Sequence, residues 1–322
     1  MKRRLWLLLS CAAWLLFNAG LPAAFAAYPD PAKHITLIVP FSAGGSNDIL
    51  ARFIGRKMSD DWHMPVVIVN VVGASGALGA ERAARSEPDG YTILMLSSTF
   101  TINSAVMKKL PYNPDSSFAG VALLGKAPMM LAVSKTVPVS NAKELIALAR
   151  AKPGTLNYGS VGVGSVNHMA MELMKKLGNL DIKHVPYRAG NEAVNDLLGG
   201  HLDMFIGSLP QMMALTRANT ATAIAVTSPQ RSAAVPELPT LAEAGIPGYE
   251  LEQWWGIVAP AGTPNDIIAA LNKELNGVMN STEVKAFMDR EGARPAPSTP
   301  EAFDQHLHAE LHRWRELVQQ SN

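Results

Sequence analysis

Short apolar runs alternate along this chain with segments whose apolar residues recur every three to four positions. Residues 35–39 form a nearly unbroken apolar run of strand length. After Gly44-Gly45, Ile49, Leu50, Phe53 and Ile54 follow at helical spacing, with Ser46 or Asn47 placed to cap the helix. The same alternation predicts strands at 66–71 and 91–96 and a helix at 76–85, the third strand entered through the turn Pro88-Asp89-Gly90. A second set begins with a strand at 129–133. Asn141 with Glu144 three positions on predicts a capping box for a helix ending at Arg150. Strands at 156–158, 182–185, 204–206 and 223–226 alternate with helices at 165–177 and 192–198. A turn-rich stretch at 236–240 precedes a strand at 254–258, and the remainder reads as helical. Thr263 before Pro264 and Ser281 are expected to cap two of these helices, and Thr299-Pro300-Glu301 to open the last. In that last helix Phe303, Leu307, Leu311, Trp314 and Val318 form an apolar stripe. Alternating strands and helices predict a parallel α/β architecture.

The first residues break this pattern. Met1-Lys2-Arg3-Arg4 precedes an uncharged stretch of about 16 residues, shorter than the roughly 20 that span a bilayer. Leu21-Pro22 ends it, and Ala24-Phe25-Ala26 offers a cleavage site. Residues 1–26 are therefore expected to be a signal peptide cut after Ala26, which sends the chain to the periplasm. The single cysteine, Cys11, leaves with it, so the mature chain has no thiol nucleophile, disulfide or zinc–thiolate site. About 295 residues remain, enough for two domains. Loss of Lys2, Arg3 and Arg4 turns the formal charge from +1 to −2, and no basic run remains that would suit a nucleic acid.

Three strand-to-helix junctions are rich in glycine, serine and alanine: residues 40–48, 72–79 and 158–165. The first turn of a helix carries unpaired N–H donors and about half a positive charge. Small residues let an anion reach that backbone, and serine hydroxyls add donors. Several such starts at one cleft would hold a carboxylate without arginine, at the strand ends where open α/β sheets bind ligands. Asp48 either caps the first turn or meets ligand through water. The glycines Gly73, Gly76 and Gly79 are spaced GxxGxxG, not the GxGxxG of dinucleotide sites. No GxSxG elbow is present. His308 and His312 lie four apart without the HExxH pattern or an evident third ligand. The residues therefore imply no catalysis, no metal and no cofactor.

Ordered along the chain, these segments carry a resemblance. Pro40-Phe41, Gly44-Gly45 and Asp48 come first, then Gly73, Gly76 and Gly79, then residues 88–92. Leu110-Pro111-Tyr112, residues 153–160, His184-Val185-Pro186-Tyr187 and Asp203 follow. Thr227-Ser228, Pro239-Thr240, Glu243-Ala244-Gly245, Trp255-Gly256 and residues 259–264 complete the series. The chain from Tyr28 onward resembles the Bug-type substrate-binding proteins of the tripartite tricarboxylate transporter family. The resemblance implies a two-lobed type II periplasmic binding protein fold, each lobe a central β-sheet flanked by helices. Lobe one would be 28–127 with 250–322 and lobe two 128–249. It also implies a small carboxylate held by Phe41, Ser42, Ala43, Ser46, Asn47, Asp48, Ala74, Ser75 and Gly76. From the other lobe Ser160, Gly164, Ser165, Tyr187, Arg188, Ala189 and Gly190 would face it. The carboxylate could be a di- or tricarboxylate, an acidic amino acid or an aromatic acid. Delivery would be to an inner-membrane permease and its small companion, by a monomer. Val71-Val72 stand where the family has a basic residue and proline, and Asn191-Glu192 where it has small residues and proline. A sensing role in the same cleft, or a secreted enzyme acting on carboxylic acids, are the other classes such a chain could fill.

Overall fold

The computed structural model describes residues 28–107, 109–188 and 190–319; the expected leader with Cys11, and Ala189, lie outside the described residues. Strand β1 (Ile35–Val39) leads into α1 (Ser46–Trp62), β2 (Val66–Asn70), α2 (Ala77–Ala84), β3 (Thr92–Ser97) and α3 (Ser98–Val106). Next come β4 (Phe118–Ser134), α4 (Ala142–Ala151), β5 (Asn157–Ser160), α5 (Val166–Gly178) and β6 (Lys183–Pro186). They are followed by α6 (Gly190–Gly199), β7 (Met204–Ser208), α7 (Leu209–Arg217) and β8 (Ala221–Val226). The chain ends with β9 (Glu252–Pro260), α8 (Asn265–Val278), α9 (Thr282–Arg290), β10 (Arg294–Pro295) and α10 (Pro300–Gln319).

The strands line up as β2-β1-β3-β9-β4-β7-β5-β6, with β8 and β10 also paired to β4. Pairing is parallel among β1, β2 and β3 and among β5, β6 and β7, but β4 and β9 run antiparallel to their neighbours. The sheet is thus mixed, where the alternation of elements had predicted a parallel one. The reason is β4: its 17 residues pair with β9 as far as Pro128 and with β7 and β8 from Met129 onward, so one strand serves both halves. Only its second part, 129–133, has the unbroken apolar pattern that sequence reading selects. The first part carries Gly120, Gly125, Lys126 and Pro128, which read as punctuation.

Both faces of the sheet are covered. Ile35, Leu37 and Val39 pack with α1, α8 and α9, while Ile38, Leu94 and Leu96 pack with Phe303 and Leu307 of α10. Strands buried on both sides read as apolar runs, which is why β1 and β3 were legible. The stripe on α10 does more than cover one half. Phe303 and Leu307 belong to the core around Trp254, whereas Trp314 and Leu317 belong to the core around Tyr158 and Met204. Close seating of α10 needs Gly256, where a Cβ would meet Phe303 Cζ at 2.2 Å.

Several caps match the sequence pattern. Glu144 N–H donates to Asn141 Oδ1 at 3.0 Å, Val284 N–H to Ser281 Oγ at 3.4 Å and His168 N–H to Ser165 Oγ at 3.3 Å. Others differ. Gly45, not Ser46 or Asn47, is the N-cap of α1, because Gly44 turns with φ +85° and starts the helix one residue early. Thr263 does not cap α8; its hydroxyl donates to Pro260 O at 2.7 Å, and Pro264 takes the cap position. The helices α3 and α7 were not predicted, since neither begins with a glycine-rich loop.

Candidate functional site

Register places several helix starts together. At the end of β3, Ser97 pairs with Trp255, which pairs with Gly125; at the end of β7, Ser208 pairs with Met129. The two strand ends therefore reach the middle of β4, and α3 and α7 begin there. None of α1, α2, α3 and α7 has a side chain capping its start. First-turn N–H groups, which no helix can satisfy internally, are therefore without a side-chain acceptor at α1 and α3; at α2 Ala77 N–H already donates to Ala74 O, and α7 has Pro210 in its first turn. By contrast α4 and α9 carry side-chain caps from Asn141 and Ser281, although α8 has none.

Residues 40–45 lead from β1 into α1. Ser42, Ala43, Gly44 and Gly45 are exposed, and Asp48 beneath them is buried. Asp48 is fully committed. It accepts from Arg52 at 2.9 Å through both oxygens, from Gly44 N–H at 2.9 Å and from Asn70 Nδ2 at 2.9 Å. Burial works to raise its pKa, but these donors overcome burial and bring it to about 2. Its role here is to frame the loop, the capping alternative of the sequence reading. Asn70 Nδ2 also donates to Phe41 O at 3.0 Å, and Ser46 Oγ donates to Glu291 Oε2 at 3.0 Å. Asn47 Oδ1 is enclosed without a protein partner.

Residues 73–76 lie against this loop. Ala74, Ser75 and Gly76 have φ of +46°, +51° and +96°, an uncommon run of left-handed backbone for two non-glycine residues. Gly76 N–H closes the turn on Gly73 O at 2.9 Å, and Asn103 Nδ2 of α3 donates to Ser75 O at 2.7 Å. Pro40 and Phe41, Ser75 and Gly76, and Ser97 and Asn103 line a small recess where these segments meet. In its wall, Ser97 Oγ is buried without a partner. Ser97, Ser98 and Asn103 were missed by sequence reading. The available signal was Ser97-Ser98-Thr99 directly after a predicted strand.

The facing elements come from the other half. Ser160 Oγ lies 2.6 Å from His184 Nε2 and donates to Gly162 O at 3.1 Å; Ser165 Oγ donates to Gly162 O at 2.7 Å. Both predicted serines are therefore engaged within their own loop. His184 stacks on Tyr158 at 4.9 Å and lies 4.4 Å from His168, whose Nδ1 accepts from Gly164 N–H at 3.4 Å. Burial, followed by the neighbouring His184, lowers His168 to about 4, so it is neutral at pH 7 and able to accept. Tyr187 OH donates to Asp196 at 2.7 Å, and Glu192 accepts from Arg188 N–H at 3.2 Å. The Arg188 side chain is exposed. The halves meet where Gly164 approaches Val106 at the end of α3; within the second half, Gly190 lies beside Val161.

A larger cavity of about 620 Å³ lies across the crossing strands, between Pro128, Ser228, Ala234, Glu252 and Gly292. It contains none of the predicted site residues. Its guanidinium groups are paired, Arg294 with Glu252 at 2.8 Å and Arg231 with Glu243 at 2.8 Å, and the starts of α1, α2 and α3 do not line it. The segments around Ser97 are the better candidate. Among the described residues no group of three His, Cys, Asp or Glu side chains could hold a metal, and no helix is long and apolar enough to cross a membrane. His312 faces Glu316 at 3.6 Å on an exposed part of α10.

Two half-sheets joined by crossing strands, with helix starts gathered at the join, define a periplasmic binding protein architecture. The chain belongs to the tripartite tricarboxylate transporter receptor family, whose model matches residues 50–322. It is 32% identical to the protein BugT of Bordetella pertussis over 98% of this chain and 97% of that one. Rhodopseudomonas palustris Rpa4515, solved with adipate, has a TM-score of 0.78 at 34% identity, covering 90% of this chain and 97% of that one. MatC from the same species, solved with bound malate, has a TM-score of 0.75 at 31% identity, covering 90% and 100%. The resemblance read from the motifs is thereby established at the level of family and fold.

Proposed function

We propose that the protein captures a small carboxylate between two lobes, residues 28–127 with 250–322 and residues 128–249, and delivers it to a membrane permease with a small companion subunit. The observation that carries this reading is the gathering of uncapped helix starts beside Ser97 and Ser208. They supply N–H donors and a positive field beside an Arg52 that Asp48 already holds. The adipate and malate held by the similar structures support the same class of ligand here. Residues 42–47 and 74–76, with Ser97 and Ser98, would take the carboxylate. Loop 160–165 and residues 187–190 would close over it from the second lobe. Ligand favours the closed state because both lobes touch it only there. The expected leader would place this work in the periplasm, and the protein would act by binding alone.

A thermal-shift screen against mono-, di- and tricarboxylates and aromatic acids tests the reading. An acid at 100 times its Kd raises stability by about 2.7 kcal/mol, a clear rise in Tm. Shifts only with sugars or cations would contradict it, and accumulation of product from an acid would mark an enzyme instead.

A further inference from the structure

Beside their serines, two of the loops that face the candidate site carry exposed aliphatic side chains. Among the described residues, Val72, Leu78, Val161 and Val163 are four of seven large apolar side chains standing exposed, Val163 at 68%. Scattered exposed apolar residues are ordinary, but a cluster on two adjoining loops is not. Both loops are fastened to one helix. Asn103 of α3 donates to Ser75 O at 2.7 Å, and Gly164 rests against Val106, three residues further along the same helix face. Val72 and Leu78 thus flank one loop and Val161 and Val163 the next. Leu78 lies over Gly73, and Val161 lies over Gly190, the first residue of α6.

The charges point the same way. Residues 40–47, 72–79, 97–99 and 160–165 contain no lysine or arginine. Arg52, below the first loop, is bound to Asp48 through both carboxylate oxygens. Two carboxylates stand at the margins instead: Glu291 beside Ser46, and Glu192 on the amide of Arg188. A single ligand carboxylate is served by amide donors. A second or third one would meet these acids, whereas a hydrocarbon body would cover the valines and Leu78.

We infer that the ligand is an acid with one carboxylate and an apolar body, aliphatic or aromatic, rather than a short polycarboxylate. The inference rests on the proposed carboxylate-capture function and specifies its substrate class. The polar end sits at the helix starts, and the body lies between the two valine-bearing loops as they close.

Calorimetric titration of the purified protein with hexanoate, benzoate, adipate, succinate and citrate tests it. Hexanoate or benzoate is expected to bind at least tenfold more tightly than adipate, its dicarboxylate counterpart, and than succinate or citrate. A Val72→Ser/Val163→Ser variant should lose about tenfold or more of that affinity, by removal of buried methyl groups, while its ligand-free Tm stays unchanged. Tightest binding of adipate, succinate or citrate would overturn the inference and leave carboxylate capture standing. Unchanged affinity of the variant for every acid, with reduced uptake in cells, would also overturn it and assign the valines to a membrane partner. Failure of all five acids to bind would remove the underlying function as well.

Discussion

Asp48 illustrates how one buried side chain can shape a loop from beneath it. Its carboxylate gathers Arg52, Gly44 N–H and Asn70, and through Asn70 it holds Phe41 O. Asp48→Ala leaves the Gly44 amide, Arg52 and Asn70 without their acceptor, and is expected to cost about 1–3 kcal/mol in a urea titration. An unchanged midpoint would mean that the loop holds itself. The charge also sets a pH dependence: its folded pKa of about 2 lies below the ordinary 3.8, so the stabilisation is complete above that ordinary value and is lost as pH falls through 2. Ser75 makes the opposite case. At φ +51° it is strained, so Ser75→Gly should raise Tm slightly, by up to about 1 kcal/mol of stability, while weakening carboxylate affinity. A fall in Tm would contradict the strain. Arg52, unremarked in the sequence, stands at i+4 from Asp48, a spacing that marks helix ion pairs, but Asn70 lies 22 positions away and no local pattern connects it.

At the scale of elements, the useful distinction is between helices that cap themselves and helices that do not. Side-chain caps have a sequence signature, and Asn141 and Ser281 were found by it, while Ser165 proved to be a cap at a helix start read without one. An uncapped start has none, and so α3 and α7 went unread while the glycine-rich starts of α1 and α2 were found. Beneath loop 160–165 the start of α5 is supported by His168. Because burial holds its pKa at about 4, below the ordinary 6.5, the unfolded chain binds the proton first. Stability therefore falls as pH drops from 6.5 to 4. His306, also lowered to about 4 chiefly by burial, acts in the same direction. Glu274, raised to about 7 by burial and then by Asp61, acts in the opposite one. His168→Asn keeps an acceptor for Gly164 and should reduce the difference in Tm between pH 7 and pH 4.5. An undiminished difference would show that His168 does not titrate against folding.

The whole molecule is joined by β4 and α10 as well as by β9. Sequence order of many weak motifs was enough to assign the family and the two-lobed fold, because such motifs mark turns, and turns fix the path of the chain. It was not enough to find the length of β4, whose first half is broken by glycine and proline and made a strand by pairing with β9. Nor did the stripe on α10 disclose that Trp314 enters the core of the second half. Trp314→Ala should cost about 3–5 kcal/mol by leaving a cavity at that junction. A loss below 1 kcal/mol would mean that α10 does not brace the second half. The central claim concerns backbone amides, and amide chemical shifts observe them directly. In a nitrogen-15 titration with the acid that most raises Tm, Ser46, Asn47, Ala74, Ser75, Gly76, Ser98 and Thr99 should show the largest amide shifts. Largest shifts at Ser228, Gln230, Ala234 and Arg294, around the other cavity, would contradict it.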